Sequence, residues 1–106
     1  MFNLLIKEIR INKIEKLEKK LKELEEEKFK IDMIDTWDDE DFKYYSKLHA
    51  EIIFTKYKIK LEKELKSIML ELIFMRQKEY WQKEDYDHVR ELLLRKQQIE
   101  KELKCN

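Results

Sequence analysis

Along the first third of the chain, Ile14, Leu17, Leu21, Leu24 and Ile31 fall at alternating steps of three and four, with Lys28 taking the one polar turn. That spacing keeps a single apolar stripe on one side of a helix, the seam of a coiled coil. Ahead of it, Phe2, Leu5, Ile6 and Ile9 form a stripe slightly out of phase, so the apolar face swings round as the helix begins. Glu15 with Lys19 and Glu18 with Lys22 flank the seam at helical neighbour spacing. A first helix over about residues 2–33 follows.

The pattern breaks in the acidic stretch from Asp32 to Asp41. Asp and Thr compete for backbone donors and favour N-cap positions. Asp35 or Thr36 is therefore expected to cap a second helix, with Asp38, Asp39 and Glu40 in its first turn, where the macrodipole favours anions. This helix is predicted over about residues 37–81. Its buried face is read as Phe42, Tyr45, Leu48, Ile52, Ile53, Tyr57, Leu61, Leu65, Ile68, Leu72 and Met75. Between Tyr57 and Ile68 the steps are four, four and three, a spacing that relaxes a left-handed supercoil. From Ile68 to Met75 the helix is apolar nearly all round and needs covering on more than one side. Asp85 or Asp87 offers a second cap, and Val89, Leu92, Ile99 and Leu103 continue as a third seam. Folding the third helix, about residues 86–104, back over Ile68–Met75 buries that belt. The expected fold is all-α, an antiparallel up-down-up three-helix bundle with coiled-coil-like packing in one domain.

Composition strengthens this reading. The 106 residues include no Gly and no Pro, the residues that most often interrupt helices. Charged residues make up 45%, which raises disorder as a rival, but 42% hydrophobic and 11% aromatic content supplies enough apolar surface to offset ordering entropy. The 24 bases balance 24 acids, so the chain lacks the basic footprint of a nucleic-acid binder. Charge is nonetheless unevenly placed: residues 32–41 carry six acids and no base, and residues 42–83 carry ten bases and five acids. An acidic end and a basic flank suit a protein partner.

Candidate chemistry is sparse. His49 and His88 have no Cys or second His at ligand spacing, whereas zinc needs about four suitable ligands. The acidic run lacks the Gly and spaced ligands of a calcium loop, and without Gly no phosphate cradle forms. A helical enzyme of the chorismate mutase type needs several converging cations; the arginines are only Arg10, Arg76, Arg90 and Arg95. The single Cys105 has no His partner in evidence and rules out an internal disulfide. A non-catalytic protein without cofactor or metal is expected. The opening apolar run is too short for a secretory signal and no stretch reaches a bilayer-spanning length, so a cytosolic, membrane-free location is expected. Trp37 and Trp81 are read as plugs for the bundle ends or as partner anchors.

Three stretches resemble the tubulin-binding cofactor A family. One is the charged opening helix with Ile6-Lys7 and Lys13-Ile14-Glu15-Lys16-Leu17, leading to an acidic turn. The second is Tyr44-Tyr45 followed by Lys47-Leu48-His49-Ala50-Glu51-Ile52-Ile53. The third is Glu84-Asp85-Tyr86-Asp87-His88-Val89-Arg90. His49 stands where that family has Gln, and helix two lacks its Pro. The resemblance implies a small cytosolic three-helix chaperone that holds β-tubulin after release from the chaperonin. It places partner contacts on Lys47, Glu51, Glu84, Asp85, Tyr86 and Arg90, with Lys56, Lys58, Lys60, Lys63 and Lys66 available to steer an acidic partner. The rival is a structural coiled-coil adaptor that dimerises through Ile14–Ile31. The two joints favour a monomer, with a homodimer as the alternative. A prefoldin-like holdase would want a β-hairpin that no β-rich run supplies.

Overall fold

A computed structural model describes residues 2–105, and the side chains of residues 12–104. It contains three helices: α1 (Phe2–Asp32), α2 (Asp39–Arg76) and α3 (Lys83–Cys105). The fold is all-α, with no strand among the described residues. The chain divides into two compact units, Met1–Lys60 and Leu61–Asn106. Helix α2 contributes its residues to Lys60 to the first and those from Leu61 onward to the second.

The first unit is an antiparallel helical hairpin. Leu24 and Ile31 of α1 form a core with Leu48 and Ile52 of α2, and Leu21, Trp37 and Tyr45 pack against it. Glu27 accepts a 2.8 Å hydrogen bond from the Tyr44 hydroxyl, and Glu25 lies 3.7 Å from Lys56. The α1 seam is as expected: Ile14, Leu24 and Ile31 are buried. Lys28, its one polar turn, sets its ammonium 5.7 Å from the centre of the Tyr45 ring, so its charge faces π density. The out-of-phase stripe of Phe2, Leu5, Ile6 and Ile9 lies outside the described side chains.

The second unit is a hairpin of the same kind. Leu61, Leu65 and Ile68 form a core with Ile99, and Met69, Leu72, Leu92 and Leu103 pack around it. Arg95 grips Glu64 with two hydrogen bonds, Nε to Oε1 at 2.6 Å and Nη2 to Oε2 at 2.9 Å. His88 Nε2 sits 2.7 Å from Glu71 Oε1. As α2 advances seven residues from Glu64 to Glu71, its partner retreats seven from Arg95 to His88, which fixes the antiparallel sense. The third helix thus folds back over Ile68 and Leu72, although Leu70 and Phe74 of the apolar belt remain exposed.

The buried face of α2 differs from the expected one. Phe42, Ile53 and Tyr57 are exposed, whereas Thr55 and Ile59 are buried. The first-unit seam is therefore Tyr45, Leu48, Ile52, Thr55 and Ile59, an unbroken four-three alternation, and the second-unit seam is Leu61, Leu65, Ile68, Leu72 and Met75. No spacing of four, four and three is used. A polar Thr inside the seam makes the neighbouring Ile53 and Tyr57 look like the better face.

Both joints also shift. Helix α2 starts at Asp39 and ends at Arg76, not at 37 and 81, and α3 starts at Lys83, not 86. The first cap is Asp38 rather than Asp35 or Thr36. Asp38 Oδ1 accepts the Asp41 N–H at 2.8 Å, and Asp41 Oδ2 accepts the Asp38 N–H at 3.1 Å, a reciprocal capping box. The second cap position is Gln82 rather than Asp85 or Asp87. Its N–H donates to Asp85 Oδ2 at 2.9 Å, from the third residue of the helix.

The two joints are copies of one device. Trp37 Nε1 donates to the Ile31 carbonyl at 3.1 Å, and Trp81 Nε1 donates to the Met75 carbonyl at 2.9 Å. Each indole adds a second donor to a carbonyl in the last turn of the preceding helix, which also accepts a backbone N–H, from Ile34 at 3.0 Å and from Lys78 at 3.2 Å. Each ring then takes an aromatic edge from five residues on: Trp37 with Phe42 at 5.1 Å and 77°, Trp81 with Tyr86 at 5.0 Å and 71°. Corresponding residues are 44 apart throughout. At that offset, Leu17, Glu18, Lys19, Leu21 and Lys22 recur as Leu61, Glu62, Lys63, Leu65 and Lys66, while Trp37, Glu40 and Asp41 recur as Trp81, Glu84 and Asp85. The Glu27–Tyr44 contact recurs as Glu71–His88. The two units thus follow one 44-residue hairpin pattern, with the unit boundary falling between Lys60 and Leu61.

Candidate protein-binding surfaces

Each hairpin buries one side of its second helix and presents the other. In the second unit, α3 faces the core with Leu92, Ile99 and Leu103, and its other side is open. Trp81, Tyr86, Val89, Arg90, Leu93, Leu94 and Gln97 line a shallow groove of about 370 Å³ there. Tyr86, Leu93 and Leu94 are exposed, each above half of its surface. Among the described residues Arg90 makes no ion pair, so a single guanidinium stands in an apolar setting. A groove of this make-up can take apolar side chains and one carboxylate.

Of the six residues the resemblance points to, Tyr86 and Arg90 meet in this groove. Glu84 lies exposed in the first turn of α3. Asp85 holds the joint together. Beyond accepting the Gln82 N–H, its Oδ1 accepts a 3.0 Å hydrogen bond from Lys78 Nζ. The Gln82 N–H, followed by the Lys78 hydrogen bond, holds its carboxyl below the usual carboxylate range. A carboxylate so committed has little left to offer a partner. Lys47 and Glu51 belong to the first unit, Lys47 exposed and Glu51 half-buried. Glu51 is the 44-residue counterpart of Arg95.

The first unit exposes a second surface that sequence periodicity assigns to the core. Phe42, Ile53 and Tyr57, with Phe54 beside them, stand outward on α2. Lys58 lies 4.7 Å from the centre of the Phe54 ring. Tyr44, at the joint end, has its hydroxyl pKa raised above the ordinary phenol value, first by the hydrogen bond it donates to Glu27. Both Trp N–H groups are engaged by backbone carbonyls, and Trp81 also lines the α3 groove. The seam Ile14–Ile31, the adaptor reading's dimer contact, is buried within the chain.

Among the described residues no three His, Cys, Asp or Glu side chains come together in a way that could hold a metal ion. None of the helices is long and apolar enough, over the described residues, to cross a membrane. Compared with protein families, with curated proteins and with solved structures, the chain matches none of them.

Proposed function

We propose that this chain is a non-catalytic protein-binding module of the cytoplasm, and that its partner is β-tubulin, held between chaperonin release and heterodimer assembly. The observation that carries the binding reading is the α3 groove: Tyr86, Leu93 and Leu94 exposed around an Arg90 with no ion pair among the described residues. Exposed apolar surface around a lone cation is a feature of contact sites for other proteins. The choice of tubulin rests on the resemblance of Lys47–Ile53 and Glu84–Arg90 to the cofactor A family. The test is co-elution of the purified chain with β-tubulin released from chaperonin, followed by light scattering. Co-elution that Arg90→Glu abolishes without loss of helix content supports the reading. Absence of co-elution removes tubulin, and capture unchanged by Arg90→Glu removes the groove.

A structural adaptor is the second reading. It is favoured by the outward stripe on α2, a contact surface the groove reading does not use.

A further inference from the structure

The outward side of α2 in the first unit has a self-complementary layout. Asp39, Phe42, Ser46, His49, Ile53, Lys56 and Lys60 follow one another at steps of three and four, and all are exposed. That is a full heptad stripe, about a quarter-turn round the helix from the buried seam. It extends about 32 Å at 1.5 Å per residue. Phe42 and Ile53, each more than half exposed, flank its centre, with Tyr57 alongside and the small Ser46 and Ala50 leaving room for close approach. The joint-side end begins with Asp39, next to Asp38, Glu40 and Asp41, and the far end carries Lys56, Lys58 and Lys60. Neither Asp39 nor Lys60 has an ion-pair partner among the described residues, and Lys56 reaches Glu25 only at 3.7 Å.

We infer that this stripe docks a second copy of the same chain, α2 against α2, antiparallel about a two-fold axis near His49 and Ala50. In that register Asp39 of one copy falls opposite Lys60 of the other, Phe42 opposite Tyr57 and Ser46 opposite Ile53. The same contacts are made twice, as an isologous interface requires. Acid-to-base ends set the antiparallel sense, because a parallel pair would place acid on acid and base on base. The repeated hairpin pattern supplies an internal contrast. In α3 the positions matching Asp39 and Lys60 are Lys83 and Lys104, so an antiparallel α3 pair would oppose lysine to lysine at both ends. An anionic membrane is the other surface a lysine-flanked apolar stripe could meet, but the four acids at one end repel such headgroups.

The experiment follows the mass of the full chain by sedimentation and light scattering at low ionic strength, from low to high micromolar concentration. A rise from 13.4 kDa toward twice that mass is expected. Asp39→Lys and Lys60→Asp each set like charges together at both ends and should weaken the dimer about tenfold or more. The double variant, and an equimolar mixture of the two single variants, should recover it. Far-UV circular dichroism of every variant separates lost association from lost folding, since Asp39 also sits in a helix first turn. A mass that stays at the monomer value overturns the inference, whether or not the chain then sediments with phosphatidylserine vesicles. A dimer indifferent to both single reversals, or one that the double variant fails to restore, overturns it as well.

Discussion

Leu65 offers a direct test of the repeated hairpin pattern, because its counterpart Leu21 occupies the same place with different burial. Leu65 is fully buried, enclosed by Leu61, Ile68 and Ile99. Leu21 is only half-buried and packs at the edge of the cluster of Leu24, Ile31, Leu48 and Ile52. Truncating Leu65 to Ala removes atoms that have no access to water and leaves a cavity, so both transfer and cavity terms apply, about 3 kcal/mol together. At Leu21 water can fill the space and part of the side chain is already hydrated, leaving a transfer loss of about 1 kcal/mol. With a urea slope of about 1.5 kcal/mol per molar for a chain this size, the midpoint should fall by about 2 M for Leu65→Ala and by under about 1 M for Leu21→Ala. Urea titration followed by far-UV circular dichroism reads both. Equal shifts, or a larger one for Leu21→Ala, would refute the assignment of the tighter core to the second hairpin.

Three further outcomes follow from the joints. Asp38→Ala removes half of the reciprocal capping box and should cost about 1 kcal/mol, with Asp38→Asn keeping most of it; thermal midpoints check the order. Trp81→Phe keeps a ring against Tyr86 but deletes the N–H that reaches Met75, a loss of about 1 kcal/mol, and Trp37→Phe should match it. Chemical denaturation with both variants showing no loss would mean that neither indole hydrogen bond stabilises the fold. The Asp85 carboxyl is held below the ordinary value by the Gln82 N–H and by Lys78. Its contribution is therefore fully present above the unfolded-state value of about 3.9 and disappears as pH falls through the folded-state value. Stability measured from neutral pH downward should show wild type above Asp85→Asn at pH 6, with the two curves merging in acid.

The all-helical class, the number of helices and the α1 seam are legible because Ile14 to Ile31 serve one partner with one clean alternation. Helix α2 is harder. It carries two seams a residue out of step, one ending at Ile59 and the next starting at Leu61, and a single stripe drawn through both selects the wrong side at Ile53 and Tyr57. Thr55, buried and polar, hides the true alternation. Residue types locate the joints but misplace their caps: too early at the first, where Asp35 or Thr36 stands in for Asp38, and too late at the second, where Asp85 or Asp87 stands in for Gln82. Side-chain type ranks Asp35 with Asp38 and puts Asp85 and Asp87 above Gln82, whereas in the fold each indole reaches back six residues to the end of the preceding helix. The signal that resolves all of this is the recurrence of Trp37, Glu40 and Asp41 as Trp81, Glu84 and Asp85. It also separates cap from contact: a residue that repeats with its hydrogen bond, as Asp85 repeats Asp41, belongs to the joint.

The same contrast narrows where binding specificity can reside. The two hairpins share what each needs to close: the Trp, the acidic residue at the third helical position, and the Leu pair at Leu21 and Leu65. The outward positions that line the two candidate surfaces differ instead. Ser46, His49, Ala50 and Ile53 correspond to Arg90, Leu93, Leu94 and Gln97. One hairpin thus presents an apolar stripe with an acid at one end and lysines at the other, and the second presents leucines around an arginine. A substitution at a shared joint residue such as Asp41 or Asp85 changes closure of its own hairpin, and any loss of partner binding there would follow loss of structure. A substitution at a differing exposed position, Arg90 above all, leaves closure untouched and alters only what the surface can hold. Binding losses unaccompanied by stability losses should therefore map to the differing set, and a partner whose capture depended equally on Asp41 and Asp85 would require the joints themselves to be contact sites.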